Sequence, residues 1–259
     1  MSEHLCDDLG AEVRLDGPPR RVVSLVPSIT EALAASCPQR LVGATDWCTH
    51  PADLDVARVR GTKNPDLAAI AALSPDLVIG NQEENREIDV KRLRDQGIPV
   101  WVTVIETVDQ ALASLTRLSH DVLECRPAWL DQAARLWSAP PSTGDPVPVA
   151  VPIWRDPWMV VGTRNYTSDL LSRAGFRNVF ADHEGDRRSD RYPTVDVATI
   201  EASEAELLLL PDEPYVFTTD DGPEAFALPT RLVSGRLLTW YGPAMIETFE
   251  ALAQLRRSS

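Results

Sequence analysis

Apolar residues fall in short runs separated by polar, turn-rich stretches, and two periods alternate along the first hundred residues. RVVSLVPSIT at 21–30 reads as a buried strand running into a helix. Pro27 breaks the strand, and Ser28 with Glu31 has the S-x-x-E spacing of a capping box. Leu41 to Ala44 predicts a second strand, 66–73 a short helix entered through Lys63-Asn64-Pro65, and DLVIG at 76–80 a buried strand. ENREIDVKRLRDQG at 84–97 predicts an amphipathic helix closed by Gly97, and IPVWVTV at 98–104 another strand. Strands alternating with helices at this spacing indicate a parallel sheet.

The rhythm then changes. Thr107 and Gln110 give a second capping box, followed by Val108, Ala111, Leu112, Leu115, Leu118 and Val122 at helical spacing. Pro127 restarts a helix that runs to about Trp137. APPSTGDPVP at 139–148 is rich in Pro and Gly and marks the best lobe boundary. Beyond it VAVPIW (149–154) predicts a strand, Thr167–Ala174 and Val197–Ser203 helices, ELLLL (206–210) a buried strand and Pro243–Gln254 a closing helix. The expected fold is therefore α/β, with two Rossmann-like lobes of mostly parallel sheet bridged by a helix. The expected divisions are an N-terminal lobe at 1–106, a helical bridge at 107–146 and a C-terminal lobe at 147–259.

Composition narrows the partners. The 259 residues carry 25 Lys plus Arg against 39 Asp plus Glu, a net charge of −14 that repels nucleic acid and anionic lipid. No apolar run is long enough to span a bilayer, so membrane insertion is not expected. Cys6, Cys37, Cys48 and Cys125 lack CxxC spacing, which suits reduced thiols. The first residues show neither a basic, apolar leader nor a lipobox, so a cytoplasmic protein is expected, or an extracytoplasmic one if the true start lies elsewhere.

Aromatic residues are 6% of the chain, yet several fall where strands end, the side on which open α/β sheets hold ligands. Trp47 follows the second strand, and Trp154 and Trp158 follow the first strand of the second lobe. Tyr192, Tyr215, Trp240 and Tyr241 sit on later loops. Such rings suit a large planar ligand; the alternative is that each caps its own lobe's core. Cys48 and His50 are two soft donors at i, i+2 and are candidates for an axial metal contact, against a buried thiol beside a surface imidazole. Glu83, Glu84 and Asn85 follow the DLVIG strand and Glu213 precedes Pro214-Tyr215; the carboxylates are candidate acceptors for ligand amides, or ordinary helix N-terminal acids. Arg155 and Asp156 face the same choice, with a local ion pair as the alternative. G-x-S-x-G, G-x-x-x-x-G-K-[ST], G-x-G-x-x-G and H-E-x-x-H are all missing, so no catalytic residue and no catalytic cofactor is assigned.

RVVSLVPSITEAL, LVGATDWCTHP, RVRGTKNPDL, LSPDLVIGNQEEN, GIPVWVT, PDEPYVF and TWYGP together resemble the helical-backbone metal-receptor superfamily. The nearest branch is that of the cobalamin-binding ABC-transporter substrate-binding proteins, of class III. The resemblance runs from about residue 9 to 255, and its N-terminal strings are the more specific. It implies two lobes holding a bulky metal chelate, with Trp47, Trp154, Trp158, Tyr192 and Trp240 facing it and Pro27-Ser28 at its border. It also implies permease docking through one surface glutamate per lobe. Ala68 and Ala198 occupy those positions, which removes the charge-assisted contacts unless Asp66, Asp196 or Glu201 replaces them. The helix from Pro127 is short for a bridge, about 12 residues or roughly 18 Å.

Three functions follow as expectations. The first is a non-catalytic carrier or sensor for a corrinoid or similar chelate. The second is a transport receptor for cobalamin, haem or a siderophore, and the third an enzyme that has recruited the same cleft through Cys48, His50 or Glu213.

Overall fold

A computed structural model describes residues 5–138, 144–182 and 188–258, without the side chains of 188 and 189. The chain divides into two compact units. The first holds Met1–Ile105, Asp109–Ala133 and Tyr241–Pro243; the second holds Glu106–Val108, Ala134–Trp240 and Ala244–Ser259.

In the first unit, β1 (Val22–Ser24), β2 (Leu41–Ala44), β3 (Ala57–Arg58), β4 (Leu77–Asn81) and β5 (Val100–Thr103) form one sheet in the order β3-β2-β1-β4-β5. Every pairing is parallel. The strands are short and apolar because both faces are covered. Val23, Val78, Val100 and Val102 pack with Ile70 of α2 (Leu67–Ala72) and with Val90 and Leu93 of α3 (Glu87–Asp95). Each such fully buried aliphatic contributes about 1.5–3 kcal/mol. The chain winds outward from β1 to β3, then returns to lay β4 on the other flank of β1. That reversal is a topological switch point, and the loops after β1 and β4 meet there.

The helical stretch differs from its expected form as a separate bridge at 107–146. Residues 109–133 belong to the first unit, and α5 (Ala128–Trp137) passes from one unit to the other between Ala133 and Ala134. After α4 (Val108–Arg117) the chain widens by one turn, with the Leu123 N–H bonding the Leu118 carbonyl at 2.9 Å. Of the boundary expected at 139–148, residues 139–143 lie outside those described.

The second unit repeats the plan. Its sheet orders β9 (Phe176–Asn178), β6 (Val147–Ala150), β10 (Leu207–Pro211) and β11 (Thr230–Val233), all parallel, which puts a second switch point between β6 and β10. The single strand expected at 149–154 is two. Pro152 has no N–H to continue the ladder, so the chain leaves the sheet at Val151. Pro152–Trp154 (β7) then pairs antiparallel with Met159–Val160 (β8) across a bulge. This hairpin aims Trp154 and Arg155 past the sheet's carboxyl end. Helices α6 (Tyr166–Arg173), α7 (Val197–Glu201), α8 (Gly235–Thr239) and α9 (Ala244–Ser258) complete the unit. The α/β class with two mostly parallel sheets is as the sequence predicts.

Candidate functional site

At the first switch point the chain runs from β1 into α1 (Pro27–Ser36), whose first residue is Pro27. The expected Ser28–Glu31 capping box does not form. Pro27 fixes the first helical turn one residue early, Val26 takes the cap position with no side-chain bond, and Ser28 lies buried inside the helix. Pro27 is half-buried beside it. Tyr241 enters this region from far along the chain. Its phenol lies beside the Ser28 and Thr103 hydroxyls and near the Glu83 and Glu84 carboxylates, and burial pushes its pKa well up. Tyr241 is 5% exposed, so it plugs this unit and is not a free ligand face.

The loop after β4 is set by two asparagines. The Asn81 side chain accepts from the Glu83 and Glu84 N–H groups (2.8 and 3.3 Å) and donates to Thr103 Oγ1 (3.1 Å). Asn85 accepts from the Asn81 N–H (2.8 Å) and donates to the Thr62 and Leu25 carbonyls (3.0 and 3.3 Å). Both amides are buried and used up in tying loops together, so Asn85 is a brace and not a ligand contact. Glu83 and Glu84 remain half-buried at the rim, and Lys63 Nζ donates to the Glu83 carbonyl.

The loop after β2 carries Trp47, Cys48 and His50. Arg58 pins it by donating to the Thr45 and Cys48 carbonyls, each at 2.9 Å. Trp47 stands out at 67% exposed. Cys48 and His50 part company: Cys48 is fully buried, and His50 is exposed. The Cys48 thiol lies 3.0 Å from Thr30 Oγ1 and 3.2 Å from Thr45 Oγ1. Burial pushes its pKa up against the pull of those hydroxyls, so it stays a neutral thiol and a poor metal ligand or nucleophile. The shared axial contact expected of the pair is corrected on that ground. Among the described residues, no group of three or more His, Cys, Asp or Glu is placed to hold a metal ion, and no helix is long and apolar enough to cross a membrane.

In the second unit the β7 and β10 loops bring Trp154 and Tyr215 together, ring centroids 5.7 Å apart and nearly perpendicular. Trp154 is 42% exposed and Tyr215 half-buried. Arg155 stands behind them. Its Nη1 donates to Asp221 Oδ1 and to Glu224 Oε1 (2.5 Å), and its guanidinium lies 5.5 Å over the Trp158 ring. Tyr215 Oη donates to Asp221 Oδ2 at 2.6 Å. That bond, with Arg155, holds the Asp221 carboxyl below its usual value; the same bond raises the Tyr215 phenol against the opposing pull of Arg155. Asp156, at φ 57°, is 3.8 Å from Arg155, so the ion-pair alternative describes these two residues.

Trp158 is a core residue, contrary to its expected role as a ligand face. It stacks on Phe217 (5.8 Å, planes 3° apart), meets Phe226 edge-on at 4.8 Å and packs with Val160 and Leu208. Its sequence position fits either role. The bulge in β7–β8 turns Trp154 outward and leaves Trp158 inward. Trp240 is likewise buried. It bonds Glu213, whose carboxyl is raised by burial and packs against α8 at Gly235, so Glu213 also holds its own unit together. Tyr192 is half-buried, next to the Arg191–Glu106 ion pair. Sequence reading missed the Asp221–Glu224–Arg155 cluster; its one signal was the acidic DDGPE run.

Ala68 and Ala198 are exposed in the first turns of α2 and α7. The neighbouring acids are occupied. Asp66 and Asp196 cap those helices by accepting from Ala69 and Thr199 N–H groups (3.0 and 2.7 Å), and Glu201 accepts from the Ala227 N–H (2.7 Å).

Paired α/β units with aromatic and acidic loops at their switch points define a solute-binding class of protein. The sequence profile of the periplasmic binding protein family matches residues 22–227, and the chain belongs to that family, whose members bind solutes without transforming them. The vitamin B12-binding protein of Vibrio campbellii is 24% identical over 200 residues, covering 74% of this chain and 71% of that one. The periplasmic vitamin B12 binding protein BtuF of Vibrio cholerae has a TM-score of 0.74 at 18% identity, over 93% of this chain and 98% of that one. The periplasmic heme-binding protein RhuT from Roseiflexus sp. RS-1 has a TM-score of 0.71 at 19% identity, over 92% and 99%. At such identities the likeness to the two solved structures is one of fold.

Proposed function

We propose that the chain is a non-catalytic binding protein for a bulky metal chelate, cobalamin or another corrinoid foremost and haem second. The observation that carries this reading is the Trp154–Tyr215 pair. It presents two rigid aromatic faces at the carboxyl end of a parallel sheet, braced by Arg155 and Asp221. Trp47 offers a comparable exposed face on its own unit. Rigid rings bury large area at low entropic cost, which suits a macrocycle. The relatives named for vitamin B12 and heme support the same ligand class. Titrating the purified chain with hydroxocobalamin and with hemin, followed by calorimetry and visible absorbance, tests it. Binding at micromolar Kd or tighter to one of them is expected; nothing tighter than about millimolar for either ends the reading.

A second reading, delivery of the ligand to an ABC permease, is favoured by family membership. Ala68 and Ala198 weigh against charge-assisted docking of the expected kind. Stimulation of a genomically neighbouring transporter's ATPase activity by the loaded chain decides between carrier and receptor. We extend the carrier reading to the cytosol, which suits four cysteines present as free thiols. Fractionation that finds the chain outside the cytoplasmic membrane overturns this last point.

A further inference from the structure

α1 carries Ser28 at one end and Cys37 just past the other, roughly 14 Å away. At that far end the first unit builds a second arrangement, remote from the ligand loops. Cys37 caps α1, its N–H bonding the Leu33 carbonyl at 2.7 Å. Cys125 closes the widened turn after α4, its N–H bonding the Ser119 carbonyl at 2.8 Å. Two clamps bracket them. Arg40 Nη1 donates to the Leu123 carbonyl at 2.6 Å, and Trp129 Nε1 donates to Ser36 Oγ at 2.9 Å. The clamps tie the Ser36–Arg40 stretch to the Leu123–Trp129 stretch, so the segments that carry Cys37 and Cys125 are held together. Between the clamps the Cys125 thiol neighbours that of Cys37 and is among the groups that raise it.

We propose that Cys37 and Cys125 form a dithiol that closes to a disulfide by exchange with a small-molecule disulfide such as oxidised glutathione. The exposures set the order of events. Cys125 is half-buried and Cys37 is 2% exposed, so the oxidant reaches Cys125 first. Burial also pushes the Cys37 thiol up to about 11, which keeps it from leading the attack. The Cys125 thiolate attacks one glutathione sulfur, forming a mixed disulfide and releasing one glutathione thiolate. Cys37 then loses its proton, with the Arg40 charge favouring the thiolate. It attacks the Cys125 sulfur, and the second glutathione leaves as thiolate. Two protein thiols are oxidised and one glutathione disulfide is reduced to two thiols. Cys48, enclosed by Thr30 and Thr45, takes no part. The new bond closes a long loop of the unfolded chain and stabilises the fold mainly through that constraint.

The full chain is incubated with excess oxidised glutathione, alkylated and mapped by peptide mass spectrometry. A Cys37–Cys125 cross-linked peptide is expected, with Cys48 unoxidised. A thermal midpoint higher by about 5 °C is expected with it, reversed by dithiothreitol. In Cys37→Ser, checked for native circular dichroism, Cys125 retains its glutathione adduct. Wild-type chain that ends with glutathione on Cys125 and Cys37 still free for alkylation overturns the proposal, as does a cross-link from either residue to Cys6. Because the wild-type mapping stands alone, failure of the variant to fold leaves the test intact.

Discussion

The Tyr215 hydroxyl donates to Asp221 Oδ2 at 2.6 Å, and the carboxylate that receives it also accepts from Arg155. The ring is thereby held on edge against Trp154. Tyr215→Phe keeps the ring and removes the bond, so affinity for hydroxocobalamin falls by no more than about 3-fold. Tyr215→Ala removes the face itself and costs about 10-fold or more. Equal losses for the two variants would contradict the ring-face role. The raised Tyr215 pKa has a sign: its bond to Asp221 contributes fully below the usual value of 10.0 and is lost as pH rises through the higher folded value. Tyrosinate absorbance in an alkaline titration should therefore show Tyr215 ionising late, as buried Tyr166 and Tyr241 also do, and Tyr215→Phe should remove one tyrosine from that late group.

Trp47 and Trp158 make a matched pair for separating recognition from folding. Trp158→Ala empties a ring position among Phe217, Phe226 and Leu208 and costs about 3–5 kcal/mol of stability in urea denaturation. Trp47→Ala, at an exposed position, changes stability by about 0.5 kcal/mol or less while weakening chelate binding about 10-fold. Loss of stability at Trp47 with unchanged binding would reverse both assignments.

Most of the fold was legible because apolar runs and turn residues act locally. RVVSLV, LVGA, DLVIG and ELLLL are strands, and the helices between them begin and end close to where capping and glycine signals put them. What sequence could not give is the direction a ring faces. Trp154 and Trp158 flank the same short turn, and which is exposed is set by tertiary packing and by the bulge between Pro152 and Trp154. Tyr241 was equally opaque, since its burial depends on Ser28 and Thr103, more than a hundred residues away in the chain. Cys48 and His50 look like a donor pair by spacing, but the strand end puts one inside and the other out.

That division at the β2 loop predicts a clear contrast in reactivity. Cys48 should react with a thiol reagent such as DTNB at least about 10-fold more slowly than exposed Cys6, because it is buried and its thiol is raised above the usual value. His50→Ala should leave the visible spectrum of bound hydroxocobalamin unchanged. A shifted absorption band in that variant would restore His50 as an axial contact.

Glu213 supplies the pH test. Burial is the largest influence on its carboxyl and disfavours the charge, while the Trp240 and Thr239 bonds and Arg236 pull the other way; the net direction is upward from 4.5. A carboxyl raised in the folded state binds its proton more tightly than in the unfolded chain. Its contribution is therefore greatest below 4.5 and declines as pH rises through the folded value. At neutral pH the ionised group is a burden on the fold, partly screened because the side chain is only half-buried. Glu213→Gln keeps the shape and an acceptor for the Trp240 indole while deleting the charge. Its urea midpoint should exceed that of the wild type at pH 7, and the gain should shrink toward pH 4. Chelate affinity should change less than about 2-fold, because Glu213 faces Gly235 and Trp240 within its own unit and not the open loop end. A lower midpoint at pH 7, or a loss of binding with stability intact, would return this carboxylate to the ligand.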